Sequence, residues 1–196
     1  RDYRRPIVEN VYHEPIDIFD RHLYERGSVV LDMLRTELGD ALWWQAIHAY
    51  VSTHRERDVL THDLQRAIEQ ATGRNMDAFF QQWVWKGGHP EFKAATSWDA
   101  AHRILTVTLN QTQQAEGLTS IYRVPLEIGF MVNGVFERQT VRVTDAAHAF
   151  VFRLAAEPAF VAIDPAGRVL KTLDYAPGER ALAARLTGDP EAVGTR

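Results

Sequence analysis

The chain has 196 residues, of which 45% are hydrophobic and 24% charged, and it contains no cysteine. This composition is typical of a soluble globular protein, and the lack of cysteine excludes a disulfide scaffold and a thiolate metal site. The net charge of -4 argues against a partner nucleic acid, which would require a strong basic excess. No apolar run reaches the roughly 18 residues of a membrane helix, so we expect no membrane partner.

Hydrophobic residues recur at helical spacing up to about residue 88, which predicts a helical first part. The first predicted helix spans about residues 20–38 and the second begins at Asp40. A third begins near Thr61 and ends at Gly73, and a fourth begins at Asn75 and ends at the paired glycines 87–88. The residues expected on the buried faces of the first two helices are Leu23, Val30, Leu34, Leu38, Leu42, Ile47 and Tyr50.

From residue 91 onward apolar residues alternate, as in Leu105, Val107 and Leu109, which predicts strands instead of helices. Turn residues such as Asn-Gly at 133–134 and Asp-Pro-Ala-Gly at 164–167 separate the strands. Seven short strands at this spacing predict an antiparallel β-sandwich over about residues 91–174. The predicted strands are 91–97, 103–110, 121–130, 135–143, 149–154, 159–163 and 169–173. After Pro177 the sequence E-R-A-L-A-A-R-L predicts the start of another helix.

Eight histidines invite a search for a metal site, but none has the spacing of a complete zinc site. The sequence H-E-P-I-D at 13–17 lacks the second histidine of the H-E-x-x-H motif, and Pro15 does not suit the middle of a helix turn. There is also no G-x-S-x-G sequence, no phosphate-binding loop and no cysteine nucleophile. We therefore expect the chain alone to bind no metal and to contain no complete active site.

Tyr24 stands out because it precedes a glycine inside a predicted helix, in the sequence Y-E-R-G-S at 24–28. Glycine costs about 1 kcal/mol relative to alanine in a helix, so Gly27 predicts that another group approaches this turn closely. Two interpretations of Tyr24 follow from the residues alone. Either its phenol lies at the edge of a site, or it is a core tyrosine beside a helix contact.

Three segments in order resemble the zinc aminopeptidases related to aminopeptidase N. They are Y-E-R-G-S-V-V-L-D-M-L-R-T-E-L-G, T-H-D-L-Q-R-A-I-E-Q-A-T-G and F-F-Q-Q-W-V-W-K-G-G-H-P-E-F. The resemblance implies an α+β multidomain fragment, and the chain's ends, Arg1 without a methionine and G-T-R, also suggest a segment of a longer protein. The resemblance also implies that the chain has three parts. Residues 1–88 would be the later helices of a thermolysin-like catalytic domain, residues 89–175 a β-sandwich domain, and residues 176–196 the start of a C-terminal helical domain.

The family's chemistry is zinc-assisted hydrolysis that removes N-terminal residues from peptides, with a glutamate as general base. The resemblance implies that Tyr24 is the catalytic tyrosine, which donates a hydrogen bond to the oxyanion of the tetrahedral intermediate. Zinc and its ligands would belong to the parent protein upstream of Arg1, so the fragment alone is expected to be inactive. Arg26 stands where lysine is commoner in the family, a position to which the resemblance assigns no role. The alternative function is a non-catalytic scaffold or protein-interaction module of the same fold.

Overall fold

The computed structural model describes residues 4–114 and 118–177, which contain both helices and sheets. The predicted α+β class is therefore confirmed. The described residues divide into two compact units. The helical unit runs to Gly88 and includes Leu118 and Thr119, whereas the β unit contains the remaining described residues from His89 onward. The helix predicted after Pro177 lies outside the described residues, and the three domain assignments remain predictions.

The helical unit begins with two short turns and then forms four helices joined by short connections. A 3₁₀ turn and a π-helical turn precede α1, and a second π-helical turn continues α4. In chain order the elements are the 3₁₀ turn Pro15–Ile18, the π turn His22–Arg26, α1 Gly27–Leu38, α2 Asp40–Thr53, α3 Thr61–Thr72, α4 Asp77–Phe80 and the π turn Gln81–Trp85. None of the helices within residues 4–114 and 118–177 is long and apolar enough to cross a membrane.

The buried face of the first helix differs from the prediction at its start. Val30, Leu34 and Leu38 are buried as expected, but Leu23 is 41% exposed. An α-helix advances about 100° per residue, whereas the wider π turn advances less, so Leu23 falls out of phase with the buried stripe of α1. His22 and Arg26 are buried in this turn instead.

The buried residues of α2 also differ from those predicted. Trp43 and Ala46 are its buried residues, whereas Leu42, Ile47 and Tyr50 are only partly buried. α2 packs mainly against α3. Trp43 and Ala46 lie three positions apart and therefore share one face of the helix, which is the buried one.

The β unit contains seven strands in two sheets, as predicted. One sheet has the strand order β5-β2-β1-β7 and the other has the order β4-β3-β6. The strands are β1 Glu91–Asp99, β2 Ile104–Gln111, β3 Val124–Val132, β4 Val135–Val143, β5 Ala147–Arg153, β6 Phe160–Ile163 and β7 Thr172–Asp174. The rings of Phe130 in β3 and Phe152 in β5 lie 5.5 Å apart, so the two sheets face each other across an apolar core.

The prediction that every strand pairs antiparallel is wrong for β7. This strand pairs parallel with β1, with Phe92 opposite Leu173, while the other four pairings are antiparallel. Because β7 follows β6 of the other sheet and joins β1 from far along the chain, no hairpin determines its direction. By contrast, Asn133 and Gly134 have positive φ and form the predicted two-residue turn between β3 and β4.

The loop after β6 is held by a buried ion pair. The carboxylate of Asp164 is buried and pairs with the Nζ of Lys171, whose side chain is 11% exposed. The same carboxylate accepts hydrogen bonds from the backbone N–H groups of Arg168 at 2.9 Å and Val169 at 3.0 Å. The N–H of Gly167 donates to the Asp164 carbonyl at 3.0 Å, which closes the turn predicted at 164–167. Asp164 therefore organises the whole loop that leads to β7.

Candidate active site

Tyr24 lies in the middle of the π turn His22–Arg26, immediately before α1. It is 57% exposed, and its ring meets the ring of Phe19 edge to face at a centroid distance of 5.1 Å. Phe19 is itself 59% exposed. The backbone N–H of Tyr24 donates to the carbonyl of Asp20 at 3.3 Å, so the main chain beneath the phenol is hydrogen-bonded. An accessible phenol on an ordered turn is a suitable hydrogen-bond donor to a ligand.

The N-terminal side of this turn is held by Asp20. Its carboxylate accepts from the backbone N–H groups of His22 at 2.9 Å and Leu23 at 3.3 Å, as a helix cap does. It also contacts the imidazole Nδ1 of His22 at 3.0 Å and pairs with the guanidinium of Arg5. Burial raises the pKa of the Asp20 carboxyl, but the hydrogen bonds from Arg5, His22 and the backbone outweigh it and hold that pKa well below its usual range.

Asp20→Asn should destabilise the helical unit at neutral pH by about 1.5 kcal/mol, the scale of a hydrogen bond to a charged group. A carboxyl whose pKa is lowered by folding stabilises the folded state above its unfolded pKa of about 3.9, and this stability is lost as the pH falls below that value. We expect the difference in urea midpoint between the wild type and Asp20→Asn to be largest at pH 7 and to shrink below about pH 4. A difference that stays constant down to pH 2.5 would contradict the role of the ionised carboxylate.

The C-terminal side of the turn is held by Arg26, which is only 7% exposed. Its guanidinium donates to the carbonyl of Gly88 at 2.6 Å and to the carbonyl of Trp83 at 3.2 Å, with a longer contact to the carbonyl of Lys86 at 3.4 Å. These acceptors follow or belong to the π turn Gln81–Trp85. Arg26 therefore joins the turn that carries Tyr24 to the last turn of the helical unit.

Gly87 and Gly27 differ in the space available for a side chain. A Cβ at Gly87 would lie 1.7 Å from the carbonyl oxygen of Arg4, so only glycine fits this close approach of two main chains. A Cβ at Gly27 would meet no atom of the described residues within 4 Å. No group of the described residues approaches Gly27 closely, and the close approach at this turn stays a prediction.

Within the described residues, the histidines do not assemble with carboxylates into a metal site. Residues 4–114 and 118–177 contain no group of three or more His, Asp or Glu side chains that could hold a metal ion. The H-E-P-I-D sequence forms the 3₁₀ turn Pro15–Ile18, in which the Asp17 carboxylate accepts from the backbone N–H of Glu14 at 3.0 Å. His62 lies against the ring of Trp85 at 4.7 Å. The described residues therefore do not fit a bound zinc ion.

Comparison with known proteins identifies the helical unit. The profile of the peptidase family M1 domain matches residues 1–83. Residues 1–83 are therefore similar to the domain of this family. Among the similar proteins, aminopeptidase N of Lactococcus lactis subsp. lactis is 28% identical over 114 residues, which cover 56% of this chain and 13% of that protein. Aminopeptidase M1 of Arabidopsis thaliana is 31% identical over 91 residues, which cover 45% of this chain and 10% of that protein.

A third relative, probable aminopeptidase 1 of Sulfurisphaera tokodaii, is 26% identical over 133 residues, which cover 66% of this chain and 16% of that protein. The chain thus spans between 10% and 16% of the length of these three relatives. The crystal structure of Legionella pneumophila aminopeptidase A in complex with aspartic acid matches 96% of this chain and 22% of its own, with a TM-score of 0.83 and 14% identity. This match shows the fold, and the predicted resemblance to the aminopeptidase N family is confirmed.

The M1 profile covers the turn of Tyr24 and ends within the second π turn, Gln81–Trp85. Sequence reasoning identified Tyr24 but missed both supports of its turn. The Asp20 cap has a local signal, because aspartate directly before a helix suits an N-cap. The role of Arg26 has no local signal in the sequence, since its acceptors lie 57 to 62 residues further along the chain.

Proposed function

We propose that this chain is part of a zinc-dependent aminopeptidase that removes N-terminal residues from peptides, with Tyr24 as its oxyanion-stabilising residue. The observation that carries the proposal is the M1 match over residues 1–83 together with the 57% exposure of Tyr24 on a turn held at both ends. The relatives quoted above are named as aminopeptidases, which supports the reaction class. The partner is accordingly a peptide substrate.

The proposed role of Tyr24 follows from the charge that develops during amide hydrolysis. Attack of water on the scissile carbonyl turns its oxygen into an oxyanion, which is stabilised by a donor that is already in position. The Tyr24 hydroxyl supplies such a donor, and the hydrogen bonds of Asp20 and Arg26 restrict the main chain that carries it. Because its position is set before the charge forms, little reorganisation is needed in the transition state.

Exposure distinguishes Tyr24 from a tyrosine that serves only the core. Tyr122 in the β unit is fully buried and represents the core type, whereas Tyr24 is more than half exposed in the described part of the chain. Among the described residues, Tyr24 is thus open to a ligand, as the proposed role requires, whereas Tyr122 is not.

The zinc ligands are proposed to lie in other parts of the longer protein, because the described residues form no metal site. The test compares the longer protein with the chain 1–196 for zinc content after mild chelation and for hydrolysis of an aminoacyl amide. An N-acetylated form of the same amide is the control for a free N-terminus. We expect zinc and hydrolysis only in the longer protein, and only with the free amine.

Two results would contradict this proposal. One tightly bound zinc per chain 1–196 would overturn the placement of the ligands. Failure of the longer protein to hydrolyse any aminoacyl amide would favour the alternative of a non-catalytic scaffold.

A further inference from the structure

Arg26 and Tyr24 lie two residues apart in one helical turn and point to opposite sides of it. Side chains at positions i and i+2 of a helix do not share a face. Their exposures agree with this geometry, since Arg26 is 7% exposed and Tyr24 is 57% exposed. The buried side of the turn is therefore held by Arg26 and the open side presents Tyr24.

The contacts of Arg26 depend on donors on separate nitrogens of one planar group, which a guanidinium has and an ammonium lacks. Carbonyl groups at the end of a helix lack intrahelical partners, and a cation near them also suits the helix dipole. The planar guanidinium carries five N–H donors on three nitrogens, and here Nη1 donates to the carbonyl of Gly88 and Nη2 to that of Trp83. Since these acceptors belong to another segment of the helical unit, the contacts restrain the whole turn and not only the arginine side chain.

We propose that Arg26 is a positioning residue for the proposed oxyanion donor: it fixes the turn so that the Tyr24 hydroxyl meets the developing charge. The inference rests on the proposed function of Tyr24. Arg26 touches no substrate and acts only through the placement of Tyr24. A displacement of about 1 Å at a catalytic group can cost about 10²-fold in rate, so loss of the anchor should appear mainly in kcat.

The test is a double-mutant cycle in the longer protein with the variants Arg26→Met, Tyr24→Phe and the combination of both, assayed by steady-state hydrolysis of an aminoacyl amide. Arg26→Met keeps the buried chain but removes every donor, and we expect it to lower kcat by about 10- to 100-fold with less than a threefold change in KM. In the Tyr24→Phe background the same substitution should lower kcat by less than threefold, because the hydroxyl that it positions is already absent.

The matched control is Arg21→Met, which removes an exposed arginine from the residue just before the same turn. It should leave kcat within twofold of the wild type. If Arg26→Met unfolds, Arg26→Gln replaces it in the same double-mutant cycle, because glutamine keeps an amide NH2 group as a hydrogen-bond donor. The urea midpoint is measured for each variant, so that a loss of folded protein is not mistaken for a loss of turnover.

The outcomes separate this inference from the proposed function. An equal fold-loss from Arg26→Met in the wild-type and Tyr24→Phe backgrounds would mean that Arg26 does not act through Tyr24, and would overturn the inference alone. Near-normal kcat in Tyr24→Phe itself would overturn the proposed role of Tyr24 and the inference with it.

Discussion

Replacing Tyr24 by phenylalanine in the longer protein is expected to lower kcat by about 10²–10³, the usual cost of losing one oxyanion donor. KM should change much less, because the hydroxyl is proposed to act on charge that exists only near the transition state. The ring is retained, so its edge-to-face contact with Phe19 remains and stability should change by no more than about 1 kcal/mol. Steady-state kinetics and a thermal melt on the same variant measure both quantities.

The matched control is Tyr50→Phe, which removes the same hydroxyl from a partly buried tyrosine of α2. Its kcat should remain near that of the wild type. If Tyr24 were only a packing residue, the opposite pattern would appear, with altered stability and normal turnover. A kcat of Tyr24→Phe within threefold of the wild type would end its assignment as the oxyanion donor.

The largest effect on stability is expected at the buried ion pair of the β unit. Asp164→Asn leaves the Lys171 ammonium without its carboxylate in a site where only 11% of the lysine side chain is exposed. Removing one partner of a buried pair typically costs about 3–5 kcal/mol, because the remaining charge stays buried and uncompensated. Asparagine also tolerates the positive φ of position 164, so the loss will not come from backbone strain. Urea unfolding followed by circular dichroism measures the change.

Lys93→Met is the control for Lys171→Met, which removes the lysine of this ion pair. Lys93→Met removes an exposed lysine from β1 of the same unit and should leave the urea midpoint almost unchanged. Lys171→Met should be clearly destabilising, and combining it with Asp164→Asn should restore part of the loss since no unpaired charge remains. If Lys171→Met and Lys93→Met had equal effects, the buried pair would contribute no more than an exposed lysine.

Local patterns in the sequence were sufficient to determine where the helices and strands lie. Helical spacing located α1 to α4, alternation located β2, and Asn133-Gly134 located a hairpin turn, because each of these features depends on neighbours within a few residues. Three segments in order, of which the one around Tyr24 is the first, indicated the resemblance to the aminopeptidase N family, which the M1 match over residues 1–83 confirms.

Tertiary structure alone decided which residues are buried at the start of α1 and which strands are neighbours. The sequence predicted a buried Leu23 and assigned no role to Arg26, yet the π turn exposes the leucine and buries the arginine. Arg26 can be buried only because the carbonyls of Trp83 and Gly88 are brought to it by folding. Likewise, β7 reaches β1 from the other sheet and pairs parallel with it, in a direction that no hairpin determines. Neither the burial of Arg26 nor the pairing of β7 has a local signal, since the partners of each lie more than 50 residues away in the chain.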